Sequence, residues 1–503
     1  MAEKDKKSLN FIFFYGIMHE KDTKYKGDPM GNIIGREKEI KRLDRALEEN
    51  EAQLIIVYGR RRVGKTYLIN EYFDGKFDFK FTGSFDQPTV TQLKNFELEI
   101  DHYARKKIGK LKDWTEAFFA LRDYLEEKKS QEKQIVFFDE MPWMDRQKSG
   151  FLAAFEWFWN SWGSARKNLV FIVCGSATSW LTEKIEQNKG GLFNRHTCRL
   201  YLNPFSLCET EKYLESRDIH WSRYDIAQCY MIMGGIPYYL RLLDRANTLN
   251  ENIDNLFFSK RSELWNEFDL LYNTLFSNSE TYIRIVEELS KKRYGLRREE
   301  IVKNTGLPSN GVLTKMLMHL ENSGFICVRE AFGNKKKDRK FQLCDYYSMF
   351  YFRFIKNNFG KDEQYWSNMT DNPARNVWTG LTFEQVCIDH ISQIKQKLGI
   401  SGVKSDLSSW ERRGTIDEAG AQIDLVIDRR DKVINLCEIK FSDKEYEISH
   451  EYDMQLKNKV EAFREDTGTK STLQLTMVTT YGLNRNKYSN YVSKVVCLDD
   501  LFE

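Results

Sequence analysis

No stretch of this sequence approaches the run of about 18 apolar residues that a membrane-spanning helix needs. The one suspicious segment, Phe11 to Met18, is short, follows several charged residues and lacks a small-residue cleavage site. Neither a spanning helix nor a signal peptide is expected, and the cytoplasm is the default location. The nine cysteines show no CxxC spacing, and the closest two in sequence are Cys198 and Cys208. The seven histidines form neither HExxH nor any other metal-ligand pairing. Structural zinc and a disulfide framework are therefore not expected, and reduced cysteines are the natural reading. An excess of charge of either sign is also lacking. With a net charge of only +3, any nucleic-acid surface has to be a local patch. Internal repeats and low-complexity tracts are missing too.

What is present is length and patterned apolar runs. A chain of 503 residues, 41% hydrophobic and 30% charged, is ordinary globular material in more than one domain. Residues 1–30 read as a detached extension: a charged start, an aromatic run, then a polar stretch. From 31 to 240 a core and the start of a helical lid are expected. Ile40, Leu43, Ala46 and Leu47 follow a helical period, and short apolar strands lie at Leu54 to Tyr58, Ile135 to Phe138 and Leu169 to Cys174. Continuous apolar strands separated by helices predict a parallel sheet covered on both faces. Residues 241–280 read as a helical lid or connector.

Residues 281–345 read as a winged helix. Helices are expected from Tyr282, near Glu299 to Lys303, and from the Ser309-Asn310 cap through Glu321, with Val312, Leu313, Met316, Leu317 and Leu320 as its apolar stripe. Strands at Phe325 to Arg329 and Phe341 to Leu343 flank the basic hairpin holding Lys335, Lys336, Lys337 and Lys340. Those lysines are candidate contacts to DNA phosphates; a rigid spacer with a solvated loop is the other reading. Residues 346–377 form an aromatic-rich connector. Residues 378–503 read as a further α/β unit, with a helix from Leu381 and strands at Ile423 to Ile427, Val433 to Phe441 and Leu475 to Thr479.

The sharpest motif is Gly59-Arg60-Arg61-Arg62-Val63-Gly64-Lys65-Thr66, which fits GxxxxGK[ST] between an apolar strand and a helix. Backbone N–H groups of such a loop curl around phosphate oxygens, Lys65 reaches the β and γ phosphates, and Thr66 offers a hydroxyl to Mg²⁺. Asp139 and Glu140 end a second buried strand: Asp139 suits the Mg²⁺ shell, and Glu140 is placed to polarise the attacking water. ATP and Mg²⁺ are thus the expected ligands and ATP hydrolysis the expected activity.

Residues 32–240 resemble the P-loop ATPase branch related to AAA+ and signal-transducing ATPases that is abundant in archaea. The resemblance rests on Ile34-Gly35-Arg36-Glu37, the P-loop, Phe138-Asp139-Glu140, Cys174-Gly175-Ser176 and Gly234-Gly235-Ile236-Pro237. It implies that Ser176 is a sensor of the γ phosphate, that Gly35 and Pro237 border the nucleotide, and that Arg195 is either an arginine finger or a structural arginine.

In the last unit, Asp424 sits on one alternating strand and Glu438 and Lys440 on the next, after a tight turn. Period-two alternation puts Glu438 and Lys440 on one face, and the turn brings Asp424 beside them. Two carboxylates and a lysine make a hard-cation site for Mg²⁺ or Mn²⁺ that activates water. Residues 378–480 resemble the PD-(D/E)xK nuclease domain, restriction-endonuclease-like in fold; Glu384 matches its additional acidic residue, and Ile423 departs from its proline. The expected protein is an ATPase fused to a metal-dependent DNA nuclease. The alternative is a nucleotide-operated switch whose last domain only binds DNA or a protein. Self-association stays open.

Overall fold

The computed structural model describes the chain from Ile33 to Glu503, apart from residues 129–131, 177–179, 181–182, 185–190, 192–194, 334–338, 359, 413 and 415–419. The N-terminal extension and Lys335, Lys336 and Lys337 lie outside the described residues. Two compact units emerge: one runs to Gly59 and resumes from Gly64 to Leu202, and the other comprises Arg60–Val63 and Asn203–Glu503.

In the first unit, β1 (Gln53–Gly59), β2 (Phe79–Thr82), β3 (Gln134–Asp139), β4 (Leu169–Gly175) and β5 (Cys198–Leu202) form one sheet of order β2-β3-β4-β1-β5. Every pairing is parallel. β3 and β4 are buried along their whole length and β1 nearly so, as their unbroken apolar sequences require. β2 and β5 were not expected. They are the edge strands and alternate buried with more open positions, so neither shows an apolar run.

Helices Thr89–Ala104, Trp114–Glu127 and Phe151–Ser161 bring Phe96, Phe118 and Phe155 into an aromatic core with Phe79, Phe81, Phe138 and Phe171. Phe118 stacks on Phe138 at 5.8 Å between centroids. Each such ring contributes on the order of 1.5–3 kcal/mol by leaving water, which fixes the strands that carry the P-loop and Asp139.

The second unit begins with helices. Arg223–Met233 ends at Gly234, and Gly235 follows at a φ of +64°; a Cβ at Gly235 would come within 2.2 Å of the Phe205 carbonyl, so only glycine fits. Further on, helices Ser279–Ser290, Arg298–Thr305 and Gly311–Asn322 pack with a small antiparallel sheet of β6 (Leu296–Arg297), β7 (Ile326–Arg329) and β8 (Lys340–Leu343), in the order β6-β8-β7. The side chain of Asn310 accepts from Val312 N–H at 3.0 Å and caps the last of these helices. The expected stripe needs one correction. Leu313, Met316, Leu317 and Leu320 are buried, but Val312 is 63% exposed, because those four form an i, i+3, i+4, i+7 face and Val312 sits about a quarter turn to its side.

The aromatic connector is a core of its own: Trp366 is fully buried and meets Phe350, Phe354 and Trp378 edge-on. The following helix starts at Pro373, earlier than the expected Leu381, because Asn372 caps it and Pro373 is preorganised for a first turn. The last sheet has the order β13-β12-β11-β10-β9, built from β9 (Ser405–Arg412), β10 (Ala421–Arg429), β11 (Val433–Lys440), β12 (Thr472–Thr479) and β13 (Lys494–Cys497). β9, β10 and β11 run antiparallel, while β11, β12 and β13 are parallel. Helix His450–Thr467 makes the crossover and buries Leu456, Val460 and Phe463 against Trp410, Ile423 and Leu436.

Candidate functional site

In the first unit, β1 delivers Gly59 at a φ of +144°, and a Cβ there would lie 2.4 Å from the carbonyl of Leu202 on β5. Glycine is thus obligatory where the loop leaves the sheet. Gly64, also left-handed, starts helix Lys65–Tyr72, whose positive end suits an anion. Lys65 is buried and its Nζ donates to the Gly59 carbonyl at 3.1 Å. Thr66 Oγ donates to Asp139 at 2.9 Å, across the sheet from β3. A hydroxyl and a carboxylate converging this way are the hard oxygen donors that Mg²⁺ takes, one or two from protein and the rest from water and phosphate.

Glu140 adopts a left-handed φ of +47°, rare for a non-glycine residue and common at functional sites. Its carboxylate accepts from both Ser176 N–H at 3.1 Å and Ser176 Oγ at 3.0 Å. Burial pushes this carboxyl above the ordinary range, with Asp139 adding to the rise and Lys65 opposing it. The contact between Ser176 and Glu140 was not anticipated: the residue expected to sense phosphate donates to the carboxylate expected to polarise water. Arg195 is exposed. Gly35, at a φ of +67°, leads into helix Glu37–Glu48.

The middle of the P-loop groups with the second unit. Arg60 forms a buried ion pair with Asp345, Arg61 donates to Thr274, and Arg62 pairs with Glu267 at 2.6 Å while lying 3.9 Å over the Tyr238 ring. Burial works to lower the Arg60 guanidinium, and Asp345 more than offsets it, so its proton is held more firmly than usual. Three adjacent arginines in a phosphate loop suggest phosphate contacts, but their side chains are engaged with Asp345, Thr274 and Glu267. Pro237 opens the short helix Pro237–Leu240 in this unit.

Asp424 sits on β10 where its register with β9 shifts between Ile423 and Val426. Such a bulge re-aims a side chain. The Asp424 carboxylate accepts from Ile439 N–H on β11 at 3.1 Å. Glu438 is 1% exposed, and its carboxylate accepts from Lys459 Nζ at 2.7 Å and from Tyr452 Oη at 3.1 Å, both on helix His450–Thr467. Lys440 Nζ lies 5.2 Å over the ring of that same Tyr452, which places Glu438 and Lys440 on one face as expected.

Glu384 belongs to helix Pro373–Asp389. Burial and the nearby Asp424 push its carboxyl up to about 7, against the opposing pull of Arg293 and Lys440. Burial and Asp424 likewise raise Glu438, against Lys459 and Lys440. Asp424, Glu438, Lys440 and Glu384 thus share one electrostatic site. The three-carboxylate metal cluster expected from the sequence is not assembled, however: among the described residues no group of three or more His, Cys, Asp or Glu is placed to hold a metal ion. At two of these carboxylates a cation of the protein is already in place: the Arg293 guanidinium contacts Glu384 and comes within 3.8 Å of Asp424. Arg293, Tyr452 and Lys459 were missed by sequence reasoning. The only signal was Tyr452 and Lys459 two helical turns apart on one face. Of the candidate DNA-contacting lysines only Lys340 is described, at the start of β8, 3.7 Å from Glu411.

Among the comparisons with known proteins, a family model bears on the first part of this chain. Residues 33–243 match the model of an ATPase domain found predominantly in Archaea, and this stretch is an archaeal-type P-loop ATPase domain. An uncharacterised protein of Methanocaldococcus jannaschii is 25% identical over 441 residues, covering 85% of this chain and 92% of its own. A second protein of that organism, described as an uncharacterised ATP-binding protein, is 51% identical over 44 residues, 9% of this chain and 75% of its own. Among solved structures, the Walker-type ATPase PABY2304 of Pyrococcus abyssi aligns at 18% identity with a TM-score of 0.45, over 64% of this chain and 96% of its own. The ORC2 protein of Aeropyrum pernix aligns at 14% identity and a TM-score of 0.40, over 73% and 99%. No helix among the described residues is long and apolar enough to cross a membrane.

Proposed function

We propose that this protein is an ATPase whose last domain, residues 378–503, cleaves DNA with a divalent metal at Asp424, Glu438 and Lys440, and whose nucleotide state governs access to that DNA. At the ATPase site, Lys65 and the loop N–H groups bind the phosphates, Thr66 and Asp139 would hold Mg²⁺, and Glu140, oriented by Ser176, polarises the attacking water. Mg²⁺, when bound, neutralises charge that develops on the phosphates.

The observation that carries the nuclease reading is the convergence of one carboxylate from each of two neighbouring strands with a lysine on the same face. Two hard-oxygen ligands suit Mg²⁺ or Mn²⁺, which when bound would supply Lewis-acid activation of water. Lys440 would orient that water and balance charge on the scissile phosphate. Residues 281–345 act as a winged helix that carries the DNA, with Lys335, Lys336, Lys337 and Lys340 on its backbone. A second reading is favoured by Arg293, whose position between Glu384 and Asp424 suits a switch that binds without cutting.

The test pairs DNA cleavage with ATP turnover, on plasmid, linear and single-stranded DNA, with and without ATP and Mn²⁺. Asp424→Ala should abolish cleavage and leave ATP hydrolysis intact, and Lys440→Ala should keep metal binding and lose cleavage. If wild type cuts no form of DNA, or Asp424→Ala cuts as well as wild type, the switch reading takes its place.

A further inference from the structure

Arg293 lies in the turn Lys291–Gly295, between helix Ser279–Ser290 and β6, ninety-one residues from Glu384 in sequence. Its guanidinium contacts the Glu384 carboxylate and stands 3.8 Å from Asp424. Across the same site, Lys459 holds Glu438 at 2.7 Å. The three carboxylates therefore face three cations of the protein itself: Arg293, Lys459 and Lys440. A divalent ion bound at the usual 2.0–2.6 Å from the Glu384 and Asp424 oxygens would lie within about 5 Å of the guanidinium. A dication and a guanidinium at that distance repel, and they compete for the same lone pairs. The two cannot share the site.

The turn that presents Arg293 is fixed, while the side chain has room. Tyr294 Oη donates to Gln422 at 2.6 Å, and Gln342 Nε2 donates to the Arg293 carbonyl at 2.9 Å. Gly295 adopts a φ of +70° where a Cβ would come 2.3 Å from the Phe341 carbonyl. The Arg293 side chain, by contrast, is 39% exposed. It opens on a cavity of about 1310 Å³ that Glu384, Asp424, Arg329 and Lys340 also line. The head group can swing into that space without moving the turn.

We propose that Arg293 is an interlock: its guanidinium takes the place of a divalent ion between Glu384 and Asp424, and it is drawn off by the phosphodiester backbone of nucleic acid entering the cavity. This rests on reading Asp424, together with Glu384, as metal ligands of the proposed nuclease site. The entering phosphate gives the guanidinium a planar, bidentate partner in exchange for Glu384, so nucleic acid and metal load together, and a free ion without substrate is kept out.

The test is Mn²⁺ binding to the full chain without nucleotide, read by the paramagnetic resonance of free Mn²⁺. Arg293→Gln should bind Mn²⁺ at least tenfold more tightly than wild type. Arg293→Lys, which keeps the charge, should bind like wild type, and Arg293→Gln with Asp424→Asn should lose the gain. A short DNA duplex should tighten Mn²⁺ binding in wild type and add little in Arg293→Gln; the wild-type arm stands even if the variant misfolds. Equal Mn²⁺ affinity in wild type and Arg293→Gln, a gain that survives Asp424→Asn, or no effect of DNA on wild type would each overturn the interlock. Tight Mn²⁺ binding by Arg293→Gln with no cleavage of any DNA supports the interlock and removes the nuclease reading. Cleavage with unaltered Mn²⁺ affinity does the opposite.

Discussion

Replacing Asp345 tests how the arginines of the phosphate loop are anchored. Asp345 is 1% exposed and pairs with Arg60, which is 5% exposed and also lies 5.3 Å from the centre of the fully buried Phe325 ring. A second duty falls on the same carboxylate: it caps helix Tyr346–Phe350 by accepting from Ser348 N–H at 2.9 Å. Asp345→Asn keeps an oxygen for the cap and removes the charge, leaving a guanidinium in an apolar setting where it cannot shed its proton. Breaking a buried pair in this way costs about 3–5 kcal/mol. Asp345→Ala loses the cap as well, for roughly 1 kcal/mol more.

At about 2–4 °C per kcal/mol for a unit of this size, Asp345→Asn should lower the melting transition by about 6–20 °C, with Asp345→Ala lower still. The double variant Arg60→Met with Asp345→Asn should recover most of the loss, since no uncompensated charge remains. Calorimetry on the three variants decides it. A loss below about 1 kcal/mol for Asp345→Asn, or a double variant no more stable than the single one, would refute the claim that the pair is desolvated and holds the loop.

Glu140→Gln should slow ATP turnover by about 10²–10⁴-fold with ATP affinity unchanged, and Ser176→Ala should lower turnover by less, because the Ser176 N–H still reaches Glu140; stopped-flow and equilibrium nucleotide binding measure both. Removal of residues 1–29 should leave ATP hydrolysis at the full-length rate, and a folded truncation that fails to bind nucleotide would count against the expectation that the extension is dispensable. Replacing Lys335, Lys336, Lys337 and Lys340 with Ser should weaken DNA binding and flatten its salt dependence, as fewer counterions are released; an unchanged slope in a salt titration would mark a solvated loop.

The parts of this molecule that can be read from the sequence are those encoded by neighbours along the chain. The P-loop announces itself because strand, glycine turn and helix N-terminus are contiguous, and β1, β3 and β4 because strands buried on both faces have to be apolar throughout. Glu438 and Lys440 were legible through period-two alternation alone. β2 and β5 escaped notice because edge strands carry mixed sequences, and β6 because a strand of two residues has no period. Arg293 escaped for a different reason: in Lys291-Lys292-Arg293-Tyr294 it reads as a solvated basic turn, and only tertiary packing brings it to Glu384. Likewise, nothing along the chain links Asp345 to Arg60, and only the fold places one against the other.

The strand order of the first sheet has one more consequence. β4 lies between β1 and β3, so the strands that carry the P-loop and Asp139 are two spacings apart, about 10 Å. Thr66 and Asp139 meet at 2.9 Å only because both reach inward across the end of an intervening strand that itself ends beside Ser176. β4 is in effect a gauge block: its thickness sets the gap that Thr66 and Asp139 close. A slip of one residue along it would shift its end by about 3.3 Å and turn its side chains to the other face. Substitutions deep in β4, at Phe171 or Cys174, should therefore act on nucleotide turnover without touching the nucleotide, by changing the spacing the chemistry depends on.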